Sequence, residues 1–189
     1  RERQIIMNEK YSRSKIFIFD LDDTLIISKA KIIVTDKNNG DTFSLTPEEF
    51  NSYERNDKHV LNFDEFRDIE ILKGGKIIEK YINILEKNYK KGNAIGIITA
   101  RDDKQMIFNF FKEHVGFHID NELIWAINDP KSGLTGNIAE RKRQAFEWFI
   151  DKGYVNLTFY DDDNENINII KKLSKEHKQL KIKAVKATY

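Results

Sequence analysis

Three short stretches of this chain carry acids, a threonine and basic groups in an order that could do chemistry. Lys15-Ile-Phe-Ile-Phe19 is an apolar run that breaks into Asp20-Leu21-Asp22-Asp23. Ala94 to Ile98 is a second, followed by Thr99-Ala100-Arg101. Val155 to Tyr160 is a third, followed by Asp161-Asp162-Asp163, and the basic run Arg141-Lys142-Arg143 lies between the last two. Carboxylates that converge repel one another unless a cation lies between them. Oxygen ligands with no His or Cys among them favour Mg²⁺, an ion that expects phosphate oxygens in its shell. Thr99 is suited to hold a phosphate oxygen together with backbone N–H groups at the start of the next helix. A carboxylate beside the metal can attack phosphorus. A second acid two residues on can protonate the leaving oxygen and later activate water. The chemistry these pieces spell is metal-assisted phosphoryl transfer to an aspartate, followed by hydrolysis.

Elements must bring these pieces together, and the hydrophobic pattern supplies them. Short apolar runs predict strands near residues 15, 95, 123, 155 and 181. Helical spacing predicts helices over Asp103 to Val115, Ile138 to Lys152 and Asn164 to Glu176, and one carrying Ile77, Ile78, Tyr81, Ile84 and Leu85 that ends at Gly92. Strands alternating with helices predict an α/β fold, a Rossmann-like three-layer sandwich around a central parallel sheet. In such sheets ligands bind outside the carboxyl ends of the strands, where all three polar clusters would fall. Residues 31–70 read as a small insertion in a chain that is otherwise a single domain. Asn39-Gly40 between Lys31–Thr35 and Thr42–Leu45 signals a β-hairpin. Thr46-Pro47-Glu48-Glu49 supplies a capping box and an N-terminal proline for a helix from Pro47 to Tyr53. Asn56 to Asp68 is polar and predicted irregular.

Composition excludes several classes. Lys+Arg number 32 and Asp+Glu 31, a net charge of +1, which argues against a surface that grips nucleic acid everywhere. There are no cysteines, so disulfides, thiolate zinc sites and a cysteine nucleophile are excluded. No apolar run approaches the roughly 20 residues of a membrane helix. The stretch from Arg1 to Lys15 is polar and lacks a signal-peptide core, so a soluble intracellular protein with no membrane partner is expected. Neither Asp20 nor Asp161 opens a calcium-binding loop, because the twelfth positions are Lys31 and Lys172. The order acid, Thr, base, acid also departs from that of a receiver domain. His114 and His118 lie four apart, but without a third ligand nearby ordinary surface or packing roles are expected. Trp125, Trp148, Phe110 and Phe111 read as core. Lys171 to Lys186 is locally basic: a solvated helix face and a protected edge strand, or contact with an anionic partner.

Asp20-Leu21-Asp22-Asp23-Thr24-Leu25 after an apolar strand resembles the first motif of the haloacid dehalogenase-like hydrolases. Ile98-Thr99-Ala100-Arg101 resembles their second, and Tyr160-Asp161-Asp162, with Asn166 further on, their fourth. The third is a lone basic residue, open among Arg141, Lys142 and Arg143, with Lys142 on the inward edge of its helix. The resemblance implies a phosphatase in which Asp20 is nucleophile and Mg²⁺ ligand, and Asp22 is general acid and base with its carbonyl on the metal. Thr99, Ala100 and Arg101 would bind the phosphate, and Lys142 would neutralise the phosphorylated aspartate. Asp161 and Asp162 would serve the metal, which of them directly being open. Arg101 could instead pair with Asp102 or Asp161. An insertion this small leaves an open site, and the acid pair and helix are similar to those of the phosphatase half of phage polynucleotide kinase-phosphatases. The expected substrate is a phosphorylated small molecule or a nucleic-acid end, in the cytoplasm or, for a phage protein, in a virion. The competing expectation is a non-catalytic binding or structural domain of a larger protein assembly.

Overall fold

In the computed structural model residues 15–189 are described. Five strands form a parallel sheet in the order β10-β9-β1-β7-β8. They are β1 (Lys15–Phe19), β7 (Ala94–Thr99), β8 (Ile124–Ala126), β9 (Asn156–Asp161) and β10 (Lys181–Lys186). Burial on both faces explains why the central strands read as unbroken apolar runs. Ile16, Ile18, Ile97 and Ile98 are fully buried. One face is covered by α5 (Ile138–Asp151) and α6 (Asn164–Glu176). Their Phe146, Phe149, Ile167 and Ile170 pack with Ile16, Ile18, Leu157 and Phe159. On the other face, Tyr81 of α3 (Glu79–Lys90) lies with its ring 5.9 Å from that of Tyr160. Helix α4 (Lys104–Phe110) buries Met106, Ile107 and Phe110.

One glycine sets the height of α5 over the sheet. A Cβ on Gly96, in the middle of β7, would lie 2.9 Å from the Phe149 ring and 3.3 Å from Ile18. The bare backbone lets Phe149 close down on the strand, and the same helix carries Lys142. Asn137 and Glu140 cap that helix reciprocally, fixing where it begins.

Ser28–Gly75 is a compact unit of its own. It holds a three-stranded antiparallel sheet, β4-β3-β5, built from β3 (Ile32–Asp36), β4 (Thr42–Leu45) and β5 (His59–Asn62). Two short helices follow strands there, α1 (Pro47–Asn51) and α2 (Ile69–Lys73). The hairpin turns at Gly40, whose φ of +74° suits a glycine. The Thr46/Glu49 capping box forms, but α1 stops at Asn51. Asn56 to Asp68 is not irregular: it contains β5 and a 3₁₀ turn over Asp64–Arg67. Two-residue strands β2 (Ile26–Ile27) and β6 (Lys76–Ile77) pair antiparallel at the points where the chain leaves and rejoins the larger unit.

Other boundaries move by a few residues. The helix predicted to run to Val115 widens after Phe110 into a π-helical turn over Phe111–Val115 and ends at Gly116, φ +89°. His118 therefore lies beyond that helix; its ring packs against Phe108, and that of His114 against Phe110. The apolar pattern predicts a strand from Glu122 to Ile127, but β8 covers Ile124–Ala126, because Asn121–Leu123 forms a 3₁₀ turn before it. Trp125 and Trp148 are half-buried at the flank of the core, their rings 5.5 Å apart, while Phe110 and Phe111 are fully buried. No helix among the described residues is long and apolar enough to cross a membrane.

Candidate active site

Parallel register assembles the site. Phe19 lies beside Ile97 of β7 on one side and Tyr160 of β9 on the other. Asp20 and Asp161, one residue further on, and Thr99, two residues past Ile97, therefore emerge together at the carboxyl ends of three adjacent strands. The Asp20 N–H donates to the Tyr160 carbonyl at 2.9 Å, and the Phe19 and Tyr160 rings stack at 4.7 Å beneath the acids. Carboxylate oxygens of Asp20, Asp161 and Asp162 lie within 4.8 Å of one another, a group that could hold a metal ion.

Of the three adjacent basic residues, Lys142 is the one that reaches these acids. It is 1% exposed, and its Nζ lies 3.0 Å from Asp20 and donates to Asp161 at 2.7 Å. Arg141 donates instead to Asn128, and Arg143 pairs with Glu147 and Glu176 at the surface. Burial works against the charge on Lys142, yet the two carboxylates outweigh it and hold the amine well above its ordinary pKa. Burial pushes the Asp20 carboxyl well above its usual value; Lys142 opposes that shift, and Asp161 and Asp162 add to it. Asp162 is raised too, by burial and by Asp161.

Charge and ligand type both fit a small divalent cation. Three carboxylates against the single ammonium of Lys142 leave two negative charges among buried and half-buried side chains. All the available ligand atoms are oxygens, the set that hard cations take. Asp161 is already engaged by Lys142, by both contacts from Asn166 Nδ2 at 3.1 and 3.2 Å, and by the Asp163 N–H at 2.9 Å. Asp162 has a single hydroxyl donor, Thr24 Oγ1 at 3.3 Å. Asp161 thus carries more of the site's own hydrogen bonds, and oxygens of all three acids lie close enough together to share one ion.

Asp22 stands apart from the three-acid group. Both its oxygens accept from Arg101, Nε to Oδ2 and Nη2 to Oδ1, each at 2.8 Å. A bidentate carboxylate fork of this kind matches the planar guanidinium. Arg101 is 5% exposed, so this pair forms one wall of the site. Thr99 is fully buried, with its Oγ1 accepting from the Arg101 N–H at 3.2 Å. Ala100 lies between them, and its carbonyl accepts from Asn128 at 2.6 Å. The helix start expected to offer N–H groups to phosphate is capped by its own Asp103, which accepts from Met106 N–H. Asp23 adopts a left-handed φ of 60°, a conformation Asp tolerates better than most residues. It turns the chain so that Leu25 and Ile26 can both donate back to the Leu21 carbonyl.

Two contributors carry no role in the sequence reading. Thr24 is completely buried and hydrogen-bonds Asp162 across 138 residues. Tyr160 supplies the ring on which the acidic turn rests. A threonine directly after Asp22-Asp23 is the one local signal that could have pointed to Thr24. No known protein-family model matches the chain, and no curated protein is significantly similar to it, so what this site does must be read from its own residues.

Proposed function

We propose that this protein is a Mg²⁺-dependent phosphomonoester hydrolase working through a phosphorylated Asp20, in the manner of the haloacid dehalogenase-like hydrolases its motifs resemble. The observation that carries the proposal is the buried Lys142 bridging Asp20 and Asp161 beside a third acid, with two negative charges left over. Asp20 and Asp162 would hold Mg²⁺, which when bound supplies the positive charge that lets an anionic phosphate approach these acids. The Asp20 carboxylate attacks phosphorus and the bond from phosphorus to the leaving oxygen breaks. Asp22 gives that oxygen its proton. It then takes a proton from water, whose oxygen attacks phosphorus and releases orthophosphate from Asp20. Lys142 stays beside Asp20 throughout and offsets charge on the phosphorylated side chain. To transfer a proton Asp22 must leave Arg101, and the guanidinium then has a phosphate to bind, with Thr99 and Ala100 beside it.

This division of labour predicts a substrate-dependent penalty. Asp22→Asn slows hydrolysis of alkyl phosphates by about 10²–10⁴-fold, the usual worth of a general acid. Release of an activated aryl oxide, which needs no proton, is slowed far less in the first turnover. Equal penalties on both substrates, read by rapid-mixing kinetics, contradict the assignment. Metal binding has its own readout. Mg²⁺ at a hundredfold above its dissociation constant adds about 2.7 kcal/mol, a rise of about 5–10 °C in Tm for a chain of this size. Asp162→Asn removes most of that rise. A panel of nucleotides, sugar phosphates and phosphorylated oligonucleotides tests the whole reading. If none releases phosphate with Mg²⁺ present, the hydrolase is overturned in favour of a binding domain.

A further inference from the structure

Between Lys171 and Lys186 seven lysines stand against one acid, Glu176, and Glu176 is taken by Arg143 at 2.6 Å. All seven are exposed, and none has an ion-pair partner among the described residues. Three of them, Lys181, Lys183 and Lys186, lie along β10, an edge of the central sheet. The direction of that edge matters. Its register with β9 starts at Lys181 beside Asn156 and ends at Lys186 beside Asp161. Ile182 and Ala184 pack against the core beneath α5 and α6, so strand alternation puts Lys181 and Lys183 on the opposite face and Lys186 on the face of that core. The edge runs for about 17 Å, at the roughly 3.3 Å rise of a parallel strand, toward the rim that carries the acids.

The chain beyond β10 continues to that rim. The Ala187 N–H donates to the Asp161 carbonyl and the Thr188 N–H to Tyr81 Oη, both at 2.8 Å. Tyr189 Oη donates to Asp23 at 3.4 Å, which fixes the ring at the lip of the site while leaving it 68% exposed. Lys181 and Lys183, exposed and without an ion-pair partner among the described residues, thus lead toward an exposed aromatic ring that contacts Asp23. Lysines on an edge strand guard against unwanted strand pairing, but that purpose asks for no ring at the rim. The opposite edge, β8, has no lysine. A basic track with an aromatic platform is the arrangement by which proteins hold single strands, phosphates on the cations and a base on the ring. An acidic polypeptide would satisfy the lysines and leave the ring without a partner; a duplex keeps its bases stacked and unavailable.

We propose that the β10 edge and Tyr189 bind a single-stranded nucleic acid, its phosphates along the lysines and a base stacked on Tyr189. The binding surface stands on its own geometry; delivery of a terminal phosphate to Asp20 rests on the hydrolase reading. The test is fluorescence anisotropy of the full chain with a labelled oligothymidylate lacking terminal phosphate, across a salt series. Each phosphate contact on a single strand contributes about 0.7 to the slope of log affinity against log salt. Lys181→Ala/Lys183→Ala is expected to weaken binding and lower that slope by about 1.4, while Lys87→Ala/Lys112→Ala, exposed on other elements, changes neither. Tyr189→Ala is expected to weaken binding about fivefold or more with the slope unchanged. Polyglutamate of matched charge should not displace the oligonucleotide. No binding at low salt, equal losses in the two lysine pairs, no effect of Tyr189→Ala, or equal displacement by polyglutamate each overturns the proposal. Aryl-phosphate hydrolysis measured in parallel separates the two readings. Binding without hydrolysis overturns the hydrolase alone, and hydrolysis without binding overturns the nucleic-acid surface alone.

Discussion

Replacing Asp20 with asparagine is expected to abolish phosphate release, by a factor on the order of 10⁴–10⁶, the scale of losing a nucleophile that acts as part of a unit. The amide cannot form an acyl phosphate, and it withdraws one of the three oxygens that could hold the ion. The same substitution should not destabilise the metal-free protein. Asp20 is buried, and its carboxyl sits well above the usual range because burial and two acids outweigh Lys142. A carboxyl raised by folding contributes stability below its unfolded value of about 3.9 and loses it as pH rises through the folded value. The wild-type Tm without metal should therefore fall as pH rises toward neutrality, and Asp20→Asn should flatten that fall and match or exceed wild type at neutral pH. A functional group held at a cost to the fold shows this opposition of activity and stability. An inactive variant that is also much less stable would show that Asp20 is structural.

Lys142→Met should have the largest effect on stability. The side chain fills the same space but removes the single positive charge among three carboxylates. Breaking a buried ion pair on one side costs about 3–5 kcal/mol, or a Tm loss of about 6–20 °C for a domain of this size. Arg143→Met, at the next residue, disrupts surface pairs with Glu147 and Glu176 and should cost about 0–1 kcal/mol. The Lys142 deficit should shrink as pH falls, because the stranded carboxylates can then be protonated, and shrink again in Mg²⁺. Thermal unfolding of both variants at two pH values, with and without the metal, checks all of this. Equal losses at 142 and 143 would contradict the site as described.

The strands that position the site were legible because each is a buried apolar run cut off by polar or charged residues, and the same contrast marks the rim. The helix caps were legible too, since Thr46 and Glu49 carry their partners within three residues. What stayed hidden has a common cause. Strand β5 alternates half-buried and exposed residues, His59, Val60, Leu61 and Asn62, in a polar setting, so its pattern is too short to stand out. Strands β2 and β6 are two residues long and exist only because they meet each other. The Arg101–Asp22 fork joins residues 79 apart, and the Thr24–Asp162 bond residues 138 apart. Local sequence names such residues without saying which will touch. The choice among Arg141, Lys142 and Arg143 turned on helix phase, and the contacts with Asp20 and Asp161 follow from α5 lying close over Gly96.

The most direct test of the central claim is chemical trapping of the intermediate. Borohydride reduces an aspartyl phosphate to homoserine and leaves a free carboxylate untouched. After mixing with an aryl phosphate and Mg²⁺, quenching with borohydride and peptide mapping, homoserine is predicted at position 20, and its formation should require both substrate and Mg²⁺. Phosphate release with an unmodified Asp20, or release that persists in Asp20→Asn, would contradict it.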